Sequence, residues 1–281
     1  MIRSWILTVF EEKGMAVKRT MLGSPISFHG LTALVGLLLA GGHLFAAPLA
    51  ITWHGQSFFE IVTSSGLRVA IDPHAIENYG RRSVKADLVL LSHRHTDHNR
   101  LESIENAMQA KVIEGLKASG PGGRATFNPV DEKFKDIRVR DIACFHDTVQ
   151  GMKRGLNAIW VVEADGFRIA HLGDLGHTLD MAQLRELGPV DVVMVPVGGV
   201  YTLNGLDAKK VIDQVKPSKF AIPMHYGTKV YTDLLSPDSF LSEFEDTQIQ
   251  RQKGNTLKLE NPGKTEAMKV GVIGFEPATG Q

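Results

Sequence analysis

Val89-Leu90-Leu91-Ser92-His93-Arg94-His95-Thr96-Asp97-His98 joins an apolar run to four potential metal ligands within six residues. The run from Leu88 to Leu91 has the length and bounds of a buried strand, so the histidines sit on the loop that leaves its end. A strand end fixes such a loop. His93 and His95 can then point to one side and hold one ion through imidazole nitrogens, while Asp97 and His98 turn toward a second position a few ångströms away. Neutral imidazoles crowded beside a carboxylate serve no packing purpose, and a metal site accounts for them.

Further motifs follow in order: Ile51-Thr52-Trp53-His54-Gly55, Ile71-Asp72-Pro73, Ala170-His171-Leu172-Gly173-Asp174, Pro196-Val197-Gly198-Gly199 and Ile222-Pro223-Met224-His225-Tyr226. Together with His-x-His-x-Asp-His they resemble the metallo-β-lactamase superfamily, in the branch similar to the ascorbate-phosphate lactonases and a group of metal-dependent hydrolases. The resemblance spans roughly residues 50 to 230. It implies an α/β fold, the four-layer αββα sandwich, with a metal cleft along one edge of the sheet pair. By matched position it implies that His93, His95 and His146 hold one metal, that Asp97, His98 and His225 hold a second, and that Asp174 bridges them. Asp97 and Asp174 are then also the candidate catalytic residues.

Two carboxylates and five neutral imidazoles would compensate two divalent ions without sealing their coordination spheres. A bridging carboxylate leaves room for a shared water whose pKa falls far enough for hydroxide to exist at neutral pH. The expected function is hydrolysis of an ester-like bond, a lactone or a phosphodiester, by that metal-bound hydroxide. The alternatives are a non-catalytic member that binds metal or ligand, and a β-lactam hydrolase. Imidazole and carboxylate ligands without thiolate suit Zn2+ first, with Mn2+ or Fe2+ acceptable.

Other polar residues carry weaker signals. The branch has its histidine after the glycine of the first motif, whereas here Gln56 holds that place and His54 precedes Gly55, so a structural and a functional His54 are both open. Asp72 is either an acceptor that orients a ligand histidine or an Asp-Pro strand terminator. His171, His177 and Tyr226 are candidate pocket walls, and His74 is a loop residue. Cys144 shares a strand face with His146 and is best taken as a small buried filler.

Strand and helix signals alternate along the chain. Phe58 to Val62 and Leu67 to Ile71 flank Ser64-Ser65-Gly66 as a hairpin, Leu101 to Ala110 has a helical pattern, and Ala118 to Gly123 is a Gly-rich loop. The strand Ile137 to Phe145 delivers His146. A second hairpin, Ala158 to Glu163 with Phe167 to Leu172 around Asp165-Gly166, delivers Asp174. Thr178 to Leu187 is a helix, Val190 to Pro196 a strand, Leu206 to Val215 a helix capped near Asn204, and Lys219 to Met224 the strand before His225. Beyond Ser236 the pattern is weak.

The chain has 281 residues and 31 basic against 31 acidic side chains, so no basic excess marks a nucleic-acid partner. Its single cysteine cannot form an internal disulfide. Lys18 and Arg19, the apolar run Leu31 to Ala40 and Leu44-Phe45-Ala46-Ala47-Pro48 have signal-peptide grammar, with cleavage near Ala46 or Ala47. The run is shorter than the roughly 20 residues a membrane span needs. Glu11 and Glu12 lie within a long n-region, which places the translation start at Met15 or Met21 as an alternative to Met1. A leader over 1–47 and one hydrolase domain over 48–281 are therefore expected, in a periplasmic or secreted protein acting on a small molecule. A membrane-anchored protein with an uncleaved leader is the alternative.

Overall fold

The computed structural model describes residues 47–80, 83–118, 124–260, 262 and 267–274. The expected leader, Ala47 apart, and residues 119–123 of the Gly-rich loop lie outside the described residues. The chain opens with β1 (Leu49–Trp53), β2 (Phe59–Val62), β3 (Arg68–Ile71), β4 (Leu88–Leu91) and β5 (Lys111–Glu114). A short pair, β6 (Leu116–Lys117) and β7 (Thr126–Phe127), leads to β8 (Asp131–Phe134), β9 (Ile137–Phe145), β10 (Leu156–Ala164) and β11 (Phe167–His171). Then α1 (Met181–Leu187), β12 (Val192–Pro196), α2 (Gly205–Val215), β13 (Phe220–Met224), α3 (Asp238–Leu241), β14 (Ile249–Arg251), β15 (Thr256–Leu259) and β16 (Lys269–Val272) complete it.

The strands form a six-stranded sheet, β15-β1-β2-β3-β4-β5, and an eight-stranded sheet, β14-β16-β13-β12-β11-β10-β9-β8. One hydrophobic cluster joins them, with Trp53, Phe59, Ile61 and Leu90 from the first sheet and Val139, Trp160, Val162 and Val193 from the second. The fully apolar β4 follows from this layering, because both its faces are covered. Leu88 and Leu90 belong to the core between the sheets, while Val89 and Leu91 pack outward with Phe58, Ala86 and Ile104.

Both hairpins form around turns that require positive φ. Asp165 and Gly166 have φ of +51° and +78°, as a two-residue type I′ turn demands. The two tips also meet: Ser64 donates to the Asp165 carboxylate from its backbone N at 2.6 Å and its hydroxyl at 2.8 Å.

Three expectations change in detail. Leu101–Ala110 is not an α-helix: only Leu101–Ser103 forms a 3-10 turn, and Ile104 is extended. Tertiary hydrogen bonds override the helical pattern there, since Asn106 binds both the N and O of Ala86 and Val84 bridges to Ile104. The helix expected from Thr178 starts at Met181, because Asp180 is its N-cap and accepts from Ala182 N and Gln183 N. The weakly patterned tail supplies an edge strand to each sheet, β15 beside β1 and β14 with β16 beyond β13. The α2 helix is capped by Asn204, as its sequence predicts.

Strand direction places the site. β9 and β11 both run antiparallel to β10, and β11, β12 and β13 are mutually parallel, so their C-terminal ends share one edge of the second sheet. β3 and β4 are likewise parallel in the first sheet. Among the described residues no helix is long and apolar enough to cross a membrane.

Candidate metal centre

His146 and His225 directly follow β9 and β13, Asp174 lies three residues past the end of β11, and the loop after β4 carries His93, His95, Asp97 and His98. All seven come together. The ligand atoms of His93, His95 and His146 lie within 4.8 Å of one another, as do those of Asp97, His98, Asp174 and His225. Asp174 joins the groups through one oxygen: its Oδ2 is 3.0 Å from His146 Nε2, 3.2 Å from His98 Nε2, 3.2 Å from His225 Nε2 and 3.8 Å from His93 Nε2.

The turn carrying Asp174 is built for close approach. Gly173 has φ +53°, and a Cβ there would sit 2.3 Å from Asn157 Oδ1. That oxygen instead accepts from Asp174 N at 3.1 Å, while Asn157 Nδ2 donates to Leu172 O at 2.9 Å. One buried amide side chain therefore clamps the backbone on both sides of Gly173.

Behind the ligands, Asp72 acts as the common acceptor. Its Oδ1 accepts from Ser92 N at 2.7 Å, and its Oδ2 from Ser92 Oγ at 2.6 Å and from His98 Nδ1 at 3.0 Å. Ser92 Oγ lies 2.9 Å from His93 Nδ1. Since Ser92 gives its proton to Asp72, His93 must donate from Nδ1, and His98 does so directly. Both Nε2 lone pairs are thereby turned toward the cleft. The φ of +50° at Asp72 is one that an aspartate tolerates.

The donor set fits divalent cations. His98 Nε2 is buried without a hydrogen-bond partner, although the Asp97 and Asp174 oxygens lie 3.4 and 3.2 Å away. Buried acceptors crowded in this way repel one another unless positive charge lies between them. A single proton on one imidazole would relieve one contact, whereas Asp174 Oδ2 faces four.

Burial alone would raise the Asp174 carboxyl, but the imidazoles of His225, His98 and His146 hold it well below the usual carboxylate range. Asp97 is lowered in the same way against its burial, chiefly by His98. Burial pushes His93 and His95 down, toward the neutral form that a ligand needs.

Several weaker signals resolve. His54 is structural, buried against Phe58 with its Nε2 3.6 Å from Glu60 Oε2. Gln56 is the residue that reaches the site, donating from Nε2 to Asp97 Oδ2 at 3.2 Å. Asp72 is bonded to a candidate ligand histidine, His98. His171, His177 and Tyr226 are not pocket walls. His171 is buried behind the site between Ser57 O and Gly173 N, His177 accepts from Phe145 N, and Tyr226 packs on Trp53.

His74 is more than a loop residue, since it is buried and its Nδ1 accepts from Ile76 N, with burial pushing its pKa down to about 4. Cys144 is buried filler, its thiol pushed up to about 12 by burial. Sequence reasoning passed over Ser92 and Asn157, whose roles depend on what lies across the fold. It also passed over Lys153, Arg154 and Tyr201, which line the cleft.

Residues 50–225 match the sequence profile of a beta-lactamase superfamily domain. A protein from Thermococcus onnurineus named UPF0173 metal-dependent hydrolase is 32% identical over 189 residues, 62% of this chain and 83% of that protein. One of the same name from Carboxydothermus hydrogenoformans is 30% identical over 231 residues, 77% of this chain and 98% of the relative. Among solved structures, a candidate Zn-dependent hydrolase of the metallo-β-lactamase superfamily from Thermotoga maritima matches with a TM-score of 0.60 at 31% identity, over 80% of this chain and all of that one. Profile, relatives and fold agree with the ligand cluster at the sheet edge, and the chain belongs to the metallo-β-lactamase superfamily.

Proposed function

We propose that this chain is a dinuclear metal-dependent hydrolase that cleaves an ester-like bond, a lactone or a phosphodiester, in a small molecule. The observation that carries this is the meeting of four imidazole nitrogens on one oxygen of Asp174 within 3.8 Å. His93, His95 and His146 would hold one ion and Asp97, His98 and His225 the other, with Asp174 shared. Two ions held there would supply an acidified water and a Lewis acid for the bond being broken. Zn2+ suits the imidazole-rich set first.

The protein's own residues do the remaining work. Asp72 and Ser92 fix the His98 and His93 rings with Nε2 toward the cleft, and Asp174 supplies the shared negative charge among them. Asp97, whose side chain is 32% exposed against 2% for Asp174, is the carboxylate open to substrate, and Gln56 holds one of its oxygens. Asp97 would take the proton of the attacking water and return it to the leaving oxygen. The cleft volume of about 420 Å3 suits a small-molecule substrate. The N-terminal leader would deliver the enzyme to the periplasm or the exterior.

The test is a panel of phosphodiesters, lactones and β-lactams offered to the full chain after loading with zinc or manganese. Activity should disappear on chelation and return with metal, at a stoichiometry of about two. Full activity in metal-free protein would overturn the assignment.

A further inference from the structure

Besides the ligand side chains, the cleft is lined by Lys153, Arg154 and Tyr201, and these three have no part in the mechanism above. Lys153 and Arg154 follow His146 in a loop organised by one carboxylate. Asp147 Oδ1 accepts from the backbone N of Val149 at 2.8 Å and Gly151 at 2.9 Å, and its Oδ2 from the backbone N of Lys153 at 2.9 Å and Arg154 at 2.7 Å. The Asp147 carboxylate is thus occupied by amides. Among the described residues neither the Lys153 ammonium nor the Arg154 guanidinium has a carboxylate partner, unlike the surface pairs Lys135–Asp87 or Arg138–Asp131.

Arg154 is held in place from the other side of the cleft mouth. Its Nη2 donates to Val200 O at 2.8 Å, and its guanidinium carbon lies 5.5 Å from the Tyr201 ring centroid. Val200 has φ +51°, a conformation that a β-branched residue rarely adopts, and the loop accepts it where its carbonyl meets Arg154. One of five guanidinium donors is used in that contact, and Arg154 is among the residues that line the cleft. Tyr201 is 48% exposed beside it. A fixed arginine and an unpaired lysine, set into the wall of a cleft, make an anion-binding arrangement rather than a solvated charge run.

From this arrangement we infer that Lys153 and Arg154 form an oxyanion subsite, which selects substrates carrying a phosphate or carboxylate in addition to the scissile ester-like bond. The inference rests on the hydrolase assignment for the word substrate, but the binding of an oxyanion can be measured without turnover. Phosphate and carboxylate share the planar or tetrahedral oxygens that a guanidinium meets bidentately.

The experiment uses the zinc-loaded full chain and calorimetric titration with inorganic phosphate and with glutarate. Lys153→Gln, Arg154→Gln and the double variant are compared with wild type and with Lys135→Gln, a cation at the opposite end of β9. Among the described residues the Lys153 side chain has no partner to lose, so Lys153→Gln tests the subsite without a folding penalty. Each cation removed should weaken oxyanion binding about tenfold, while zinc content and melting temperature stay at the wild-type values. A greater loss for phosphate than for glutarate assigns the phosphate, and the reverse assigns the carboxylate. In turnover, the kcat/KM of mono-4-nitrophenyl glutarate relative to neutral 4-nitrophenyl butyrate should fall about tenfold in the double variant, through KM. If no ester is cleaved but oxyanion affinity falls as stated, the hydrolase assignment fails and the subsite stands. Unchanged affinity for both oxyanions in the double variant would overturn the subsite.

Discussion

Asp72 Oδ2 lies 3.0 Å from His98 Nδ1 while the same carboxylate takes both the N and Oγ of Ser92, so one buried acid on β3's end sets the tautomers of two candidate ligands, His93 and His98, on β4's loop. Asp72→Asn keeps the size and tolerates the left-handed backbone, but its amide cannot accept from Ser92 N, Ser92 Oγ and His98 all at once, because its NH2 must face at least one of these donors. His98 would then be free to carry its proton on Nε2, facing the cleft. The expected result is a loss of metal affinity of about 10- to 100-fold in a folded protein. Competition for zinc against a chromophoric chelator measures it, and wild-type affinity would show that Asp72 only terminates a strand.

Gln56 reaches Asp97, a proposed ligand of the second ion. Its backbone O accepts from Trp53 Nε1 at 2.9 Å and from His225 N at 3.1 Å, so the main chain at this residue braces the fold whatever the side chain does. Only the side-chain amide reaches Asp97, at 3.2 Å. Gln56→Ala should therefore leave the melting temperature nearly unchanged and cost about 0.5–1.5 kcal/mol at the position Asp97 serves, a several-fold weakening. Metal titration of the variant is the measurement. Identical binding of both equivalents would reduce Gln56 to its backbone role.

How much of this was legible depended on the range of the signal. Ligands that follow a strand carry a local mark, an apolar run and then a polar residue, and His93, His95, Asp97, His98, His146, Asp174 and His225 all come together in space. The hairpin at Asp165-Gly166 and the cap at Asn204 were legible for the same reason, since turn and cap chemistry lies within a few residues. Partnerships across the fold had no such mark. Ser92 looks like any serine after a strand until Asp72 is brought beside it by the parallel pairing of β3 and β4. Leu101–Ala110 failed in the opposite sense: its helical periodicity is real, but Asn106 is committed to Ala86 and the segment follows that anchor. Apolar side chains there still cover the outer face of the first sheet, so the pattern identified burial and mistook its geometry.

Export is a separate expectation, resting on Lys18, Arg19 and the apolar run ending before Ala46-Ala47-Pro48. Expressed in a bacterium, the protein should be recovered from the periplasm with a mature N-terminus at Ala47 or Pro48. Intact-mass measurement of each fraction decides it. A chain starting at Met1 or Met15 in the soluble cytoplasm would end the export proposal, and an intact chain in the membrane would favour an anchor.

Asp174 offers the sharpest test of the two-metal arrangement, because the fold and the chemistry ask different things of it. As a turn residue after β11 it needs only a backbone N that bonds Asn157 Oδ1 and a side chain that fits, and Asn supplies both. As the shared ligand it needs a negative charge, since its Oδ2 faces nitrogens of four histidines and its carboxyl is held ionised by His225, His98 and His146 against the effect of burial. In Asp174→Asn an amide replaces that charge, and the imidazoles lose the anion that offsets two divalent ions. The expected variant is folded, binds about one ion in place of two and loses most hydrolytic activity. Elemental analysis with a thermal melt separates the two roles: two retained ions at an unchanged rate would leave Asp174 as a turn residue and remove the bridge on which the dinuclear proposal depends.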